Sequence, residues 1–397
     1  MSVVVVGASL SGLRTVQALR RKEYDGPIVL IGDEPERPYD RPPLSKDFMA
    51  APDAPVPYLT ADGELEGLGV ELLLGQRATG LDPVRRRVVL AGGDTVPYET
   101  VVVATGATAR RLPVPGAGLD GVHCLRTLDD AVALRRALDR APRVVVVGGG
   151  FIGAEFASAA RKRGLDVTMI EREAAPFAVS LGERVGTALG RIIQDSGVVV
   201  RTNVSVVEAR GATHVESIML SDGTQVDADL VLLGVGVSPA TAWLAGSGVA
   251  VSDGVRCDAG LRSVSTPRVY AAGDVASWPH PALGREVRIE HWTNANEHAE
   301  VIAGGIVGDA VTATAVPYVW SDQFGRRLQV VGRSAAGDDV ELIGTGGALC
   351  AAAWSRDGVL TAVLAIDAPR IVVRARKAIQ QRVPAADFVR DQLAALA

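Results

Sequence analysis

The hydrophobic pattern of the chain repeats itself once. Val3–Val6 is an unbroken apolar run that feeds Gly7-Ala8-Ser9-Leu10-Ser11-Gly12, and Val144–Val147 feeds Gly148-Gly149-Gly150-Phe151-Ile152-Gly153. Each glycine turn leads into an alanine-rich stretch of helical character, 13–21 and 154–163, and then into a second apolar run, Ile28–Ile31 and 166–170. Continuous apolar runs without alternation predict strands covered on both faces, so each half reads as a parallel βαβ unit. Further strands are predicted at 88–90, 101–103, 198–200 and Leu230–Leu233. Pro113-Val114-Pro115-Gly116 marks a crossing into the second unit, and Gly236-Val237-Ser238-Pro239 marks a return.

The pattern changes near residue 320. The runs 328–331, 340–343, 351–354 and Val359–Ile366 read as antiparallel strands with glycine turns, followed by helices at 370–382 and Ala385–Leu396. The predicted fold is α/β, with two Rossmann-like dinucleotide-binding domains and a C-terminal α+β domain. The boundaries read as 1–112 plus 240–320 for the first domain, 113–239 for the second and 321–397 for the third.

Composition narrows the class. A length of 397 residues suits two to four domains, and 48% hydrophobic with 22% charged residues excludes intrinsic disorder. Forty-four glycines beside 4% aromatics suit many strand-to-helix turns better than a β-sandwich. A net charge of −5 gives no general attraction to nucleic acid or to an anionic membrane, and leaves room only for a local basic patch. Cys124, Cys257 and Cys350 are odd in number, far apart in sequence and form no CxxC, which argues against a disulfide framework or a zinc cluster. The amino terminus has no basic leader, and no apolar run reaches the roughly 18 residues of a membrane span. A soluble, cytoplasmic protein is expected.

The second glycine turn carries Gly148-x-Gly150-x-x-Gly153 between a strand and a helix. Such glycines allow a tight turn, close approach of backbone to a pyrophosphate, and packing of helix on strand, while the helix amino terminus offers N–H groups and a positive dipole. Glu171 ends the next strand, 18 residues after Gly153, where an acid accepts from ribose hydroxyls and repels a 2′-phosphate. NADH is favoured over NADPH, with Arg172 weakening the preference slightly. The first turn, Gly7-x-Ser9-x-x-Gly12, has serine at the middle position; Asp33, 21 residues after Gly12, takes the ribose place, with Glu34 as its rival. Two dinucleotide sites in one chain point to a flavin and a nicotinamide exchanging a hydride.

The residues now assembled resemble the FAD-dependent NADH:ferredoxin reductases of bacterial oxygenase systems, within the glutathione-reductase-like superfamily. The resemblance covers essentially the whole chain. It rests on Gly7 to Gly12, Asp33, Pro38-Tyr39-Asp40-Arg41-Pro42-Pro43-Leu44-Ser45-Lys46, Ala104-Thr105-Gly106, Leu125-Arg126-Thr127, Gly148 to Glu155, Ala271-Ala272-Gly273-Asp274, Ile289-Glu290-His291-Trp292 and Trp320-Ser321-Asp322-Gln323. The resemblance implies that Gly7, Ser9, Ser11 and Gly12 contact the FAD pyrophosphate, with Asp33 or Glu34 on its ribose. Arg41, Ala78, Ala104, Thr105, Gly106, Arg126 and Gly273 would line the same cofactor. Lys46 would lie near flavin N5, paired with Glu155. Asp274 would hold the ribityl chain, with a helix after it aimed at the flavin, and Trp292 would touch the ring system. Gly148, Gly150, Ile152, Gly153, Glu155, Glu171 and Gly236 would hold NADH, and Glu290 would approach its amide.

Taken from the residues alone, other readings stand beside these. Lys46 also reads as an exposed lysine after a proline turn, Glu155 as a helix-dipole partner, Asp274 as a helix cap, and Trp292 and Trp320 as core aromatics. The first helix carries Thr15, Val16 and Gln17 where disulfide reductases of the superfamily carry a cysteine pair, and Ser45 stands where peroxidase relatives carry one cysteine. Electrons must then leave to an external acceptor, which the resemblance makes an acidic 2Fe-2S ferredoxin. Arg370, Arg374, Arg376, Lys377 and Arg382 form a run free of acids that suits such a partner or an ordinary solvated face; Arg37, Arg326, Arg327 and Arg333 are further candidates. An NADH oxidase or diaphorase, and a flavoprotein interaction module like apoptosis-inducing factor, are the alternatives.

Overall fold

The computed structural model describes residues 2–61, 63–140, 143–345 and 348–396. The chain divides into two compact units, one of residues 1–40, 57–108 and 238–319, the other of residues 41–56, 109–237 and 320–397.

The first unit is built on a five-stranded sheet in the order Val269–Ala271, Thr100–Val103, Val3–Val6, Ile28–Ile31, Val70–Leu73, with every pair parallel. The Val3–Val6 strand is wholly buried. That follows from its central place, since a parallel sheet puts its crossover helices on its faces and leaves no side for water. The Leu10–Arg21 and Trp292–Val307 helices pack on each other, joined by Arg14 Nε donating to Asn296 Oδ1 at 3.1 Å. A three-stranded meander spans Ala78–Asp82, Arg87–Leu90 and Thr95–Pro97, and a four-stranded sheet includes Ala276–His280.

The second unit repeats the design. Its parallel sheet runs Val199–Arg201, Val167–Ile170, Val144–Val147, Leu230–Leu233, Val122–His123, and the Phe151–Lys162 helix follows its central strand. It also holds most of a five-stranded antiparallel sheet, ordered Tyr318–Gln323, Arg326–Gly332, Val359–Ile366, Ala348–Arg356, Asp339–Thr345. The Pro369–Gln380 helix buries Ile371, Val372, Ala375, Ala378 and Ile379 and turns its charged residues outward. Among the described residues no helix is long and apolar enough to cross a membrane.

Besides elements that the sequence reading did not name, such as the Leu128–Leu138 and Glu183–Asp195 helices, the structure departs from it at three elements beside the glycine turns and Asp274. Both glycine-turn helices start three residues early, at Leu10 and Phe151, inside the glycine motifs themselves. The helix expected after Asp274 is absent: one 3₁₀ turn, Gly273–Val275, gives way to the Ala276–His280 strand. Pro279 explains the change, because it lacks the N–H that a continuing helix would require. The helix of this region lies instead at Trp292–Val307. Its signal was the spacing of Ala295, Ala299, Ile302 and Ala303, all buried, followed by Gly308 in the left-handed region at φ +103°.

Candidate functional site

In the first unit the glycine turn leaves no room for side chains where glycine stands. A Cβ on Gly7 would lie 2.1 Å from the Ala104 carbonyl oxygen, and one on Gly12 would lie 1.9 Å from the Gly7 oxygen. The helix can therefore begin directly against the sheet. Ser9 occupies the N-cap in extended backbone (φ −114°, ψ −161°), which any residue adopts, so serine is accommodated at the middle position of the motif. No acid stands in the first turn, so the positive end of the helix dipole is left for an anion. Ala104, Thr105 and Gly106 follow the neighbouring strand, where Thr105 Oγ1 donates to the Ala240 carbonyl at 2.8 Å. Ala78 opens the meander and is half-buried. This cradle fits a dinucleotide phosphate.

Asp33 lies two residues beyond the Ile28–Ile31 strand and accepts from Arg77 Nε and Nη2, both at 2.9 Å. Both side chains are more than half exposed, so the pair is worth about 0–1 kcal/mol and yields readily to a ribose hydroxyl. Glu34 accepts from the Tyr39 hydroxyl. Trp292 is half-buried at the start of its helix, and its indole N–H donates to Asp40 Oδ1 at 2.8 Å, which ties the ring down. Glu290 accepts from Arg288 Nη1 at 2.5 Å, and Arg288 Nε donates to Asp253 at 2.8 Å.

In the second unit Gly148 and Gly153 recreate the close approaches, with would-be Cβ atoms 2.4 Å from the Gly234 oxygen and 2.1 Å from the Gly148 oxygen. Gly150 forms the N-cap and faces open space, and Ile152 is 44% exposed beside it. Glu171 reaches across the turn: its Oε2 accepts from Gly149 N at 2.6 Å and its Oε1 from Glu173 N at 2.9 Å. The acid thus stands at the edge of the glycine turn. Arg172 turns away to Glu173 at 2.8 Å. Gly236, at φ +92°, also faces open space. This second cradle fits a dinucleotide as well.

The same unit holds the Lys46–Glu155 pair. Pro42–Ser45 forms a 3₁₀ turn that delivers Lys46, whose Nζ lies 2.8 Å from Glu155 Oε2. The lysine and glutamate side chains are 15% and 3% exposed, so the reading of an exposed lysine does not describe Lys46, and Glu155 lies beyond the first turn of the Phe151–Lys162 helix. Ser45 Oγ donates to Oε2 and Ser321 Oγ to Oε1, each at 2.5 Å, and Gln323 Nε2 donates to Ser321 Oγ at 3.0 Å. A buried carboxylate needs this many donors, because an uncompensated charge there would cost several kcal/mol. Ser45, Ser321 and Gln323 are thus functional candidates, although in the sequence Ser45 stands out only as the residue in place of a cysteine and the other two only within a motif. Their hydroxyl and amide chemistry gave no signal of what they would meet. Arg41 donates to the Arg126 carbonyl, and Arg126 sits just before the Thr127 capping box of the Leu128–Leu138 helix.

The residues assigned to FAD are therefore divided: Arg41, Lys46 and Arg126 belong to the second unit and the others to the first. None of the three cysteines forms a disulfide. Burial pushes the Cys257 thiol up to about 12 and raises that of Cys124, so both stay protonated and unreactive at neutral pH.

Residues 1–299 match the family described as pyridine nucleotide-disulphide oxidoreductase, and residues 318–396 match the one described as reductase C-terminal. The chain is 35% identical over 387 residues to the ferredoxin–NAD(+) reductase subunit of the benzene 1,2-dioxygenase system of Pseudomonas putida, covering 96% of this chain and 93% of that one. It is 36% identical over 379 residues to the ferredoxin–NAD(+) reductase component of the anthranilate 1,2-dioxygenase system of Burkholderia cepacia, covering 95% and 93%. Among solved structures, the reductase of the covalent putidaredoxin reductase–putidaredoxin complex superposes with a TM-score of 0.92 at 31% identity, covering 96% of this chain and 94% of that one. The ferredoxin reductase for the CYP199A2 system of Rhodopseudomonas palustris does so with the same TM-score and identity, covering 98% and 97%.

Proposed function

Because this chain belongs to the pyridine nucleotide-disulphide oxidoreductase family, we propose that it is an FAD-dependent NADH:ferredoxin oxidoreductase serving an oxygenase, either a dioxygenase or a haem monooxygenase. The observation that carries the reading is the recurrence of one glycine turn in two βαβ units, each closed to side chains at its first and last glycine. FAD, when bound, supplies hydride acceptance at N5 and the release of electrons one at a time. The chain supplies binding and orientation.

On this reading Gly7, Ser9, Ser11 and Gly12 hold the FAD pyrophosphate, Asp33 or Glu34 its ribose, and Asp274 its ribityl chain. Gly148, Gly150, Gly153 and Glu171 hold NADH. Lys46, fixed by Glu155, presents a cation to the electron-rich side of the flavin, where charge develops on reduction. FAD binding is assigned to 1–112 and 240–320, NAD binding to 113–239, and the partner interface to 321–397. The ferredoxin docks on the exposed face of the Pro369–Gln380 helix, where Arg370, Arg374 and Lys377 surround Val373, itself 73% exposed. Arg326 and Arg327 are less suited, since Asp367 and Asp322 engage them at 3.1 Å and 3.8 Å. A reducing, cytoplasmic setting belongs to the same proposal, supported by three cysteines without a disulfide.

The test is a visible spectrum of the purified protein followed by anaerobic titration with NADH, then turnover with added ferredoxin. A yellow protein bleached by one equivalent of NADH, and fast ferredoxin reduction beside slow oxygen reduction, are the expected results. A colourless protein that takes up no FAD refutes the proposal, and oxygen reduction as fast as ferredoxin reduction makes it an oxidase instead.

A further inference from the structure

His298 is fully buried in the Trp292–Val307 helix of the first unit. Its Nδ1 accepts from the backbone N–H of Gly273 at 3.1 Å. Gly273 opens the 3₁₀ turn that carries Asp274 and stands in the left-handed region at φ +71°. A Cβ there would lie 3.2 Å from the Ser11 Cβ. Ser11 belongs to the first glycine turn, and its hydroxyl donates to the Ala295 carbonyl at 3.3 Å. Ala295 and His298 are three apart, hence on one face of their helix. One helix face therefore backs both the glycine turn, through Ala295, and the Asp274 turn, through His298.

We propose that His298 is a positioning residue for the FAD cradle: its Nδ1 lone pair anchors the Gly273 N–H and so fixes the Asp274 carboxylate against the Ser9–Gly12 turn. The proposal rests on the reading of that cradle as the FAD site. The first N–H groups of a turn have no partner within it, and a buried one left unpaired is costly, so the acceptor decides where this turn begins. Accepting at Nδ1 requires the neutral ring to carry its proton on Nε2. Nε2 has no hydrogen-bond partner among the described residues, and the Trp278 ring meets the imidazole edge-to-face with centroids 4.4 Å apart. Burial and the neighbouring His280 push the ring's pKa down to about 3, which keeps the lone pair available throughout the physiological range.

Two near-isosteric substitutions separate the acceptor from the packing. His298→Asn places Oδ1 where Nδ1 stands, and His298→Leu fills similar space with no acceptor. The readout is the rate of FAD release from each holoprotein on dilution, followed by recovery of flavin fluorescence, with the Michaelis constant for NADH measured alongside. His298→Leu should release FAD about tenfold faster, the loss of one well-placed hydrogen bond. His298→Asn should stay within about threefold of the parent, and the Michaelis constant for NADH should be unchanged in both. Equal release from the Leu variant and the parent overturns the proposal, and so does an Asn variant no better than Leu. A nitrogen-15 correlation spectrum of the five histidines in the unsubstituted protein provides a test that needs no variant to fold. An Nε2–H ring with unprotonated Nδ1 is expected for His298, and an Nδ1–H ring overturns the assignment. A parent protein that takes up no FAD refutes the cradle reading itself, whichever tautomer is found.

Discussion

The buried imidazole has a consequence for stability that needs no cofactor. In the unfolded chain His298 takes up a proton near its ordinary value of 6.5, whereas in the folded chain it does not until about 3. The folded pKa is depressed, so the unfolded state binds more protons between these limits and stability falls as pH drops below 6.5. Linkage gives the size: between pH 7 and pH 5 the unfolded form gains about 2 kcal/mol relative to the folded form from this one ring. The figure hardly depends on the folded value, because at pH 5 any value below about 4 leaves the folded ring neutral. The assay is urea unfolding followed by tryptophan fluorescence at pH 7 and pH 5, comparing the parent protein with His298→Asn. Other titrating groups are common to both and cancel in the difference. The parent should lose about 2 kcal/mol more than the variant over this interval. Equal losses would mean that His298 is charged in the folded protein, and the hydrogen bond from Gly273 would then have no lone pair to end on.

Glu171→Ala should raise the Michaelis constant for NADH and leave flavin content unchanged; loss of flavin instead would exchange the two nucleotide assignments. Gly12→Ala should give a protein without flavin, by absorbance ratio after purification, because its Cβ would stand 1.9 Å from the Gly7 oxygen. Lys46→Met leaves Glu155 buried with two serine donors and no cation, and should cost about 3 kcal/mol in urea unfolding. In a double-mutant cycle, adding Glu155→Gln should restore part of that loss, and strictly additive losses would argue against a direct pair. Reversing charge with Arg374→Glu and Lys377→Glu should raise the Michaelis constant for ferredoxin and flatten its salt dependence, with the NADH-dependent reduction of a small dye unaltered.

The parallel core was legible because its signal is local. Four valines before each glycine turn are buried on both faces wherever the helices land, so Val3–Val6 and Val144–Val147 announce central strands without any knowledge of their neighbours. Glycines whose Cβ would strike backbone within the same βαβ unit are likewise readable from spacing. The Lys46–Glu155 contact, 2.8 Å across 109 positions of sequence, was reached only through resemblance to a family. Serine and histidine carry no periodicity and suit surfaces, caps and cores alike. Only the folded chain brings Ser45 and Ser321 onto the two oxygens of one carboxylate, and His298 beneath Gly273. Strand and turn patterns follow from the burial of nearby residues, whereas the partners of a buried polar atom are chosen by chain segments far away in sequence. For that reason the amino-acid order alone defined two nucleotide cradles, and tertiary packing decided which polar side chains hold them in shape.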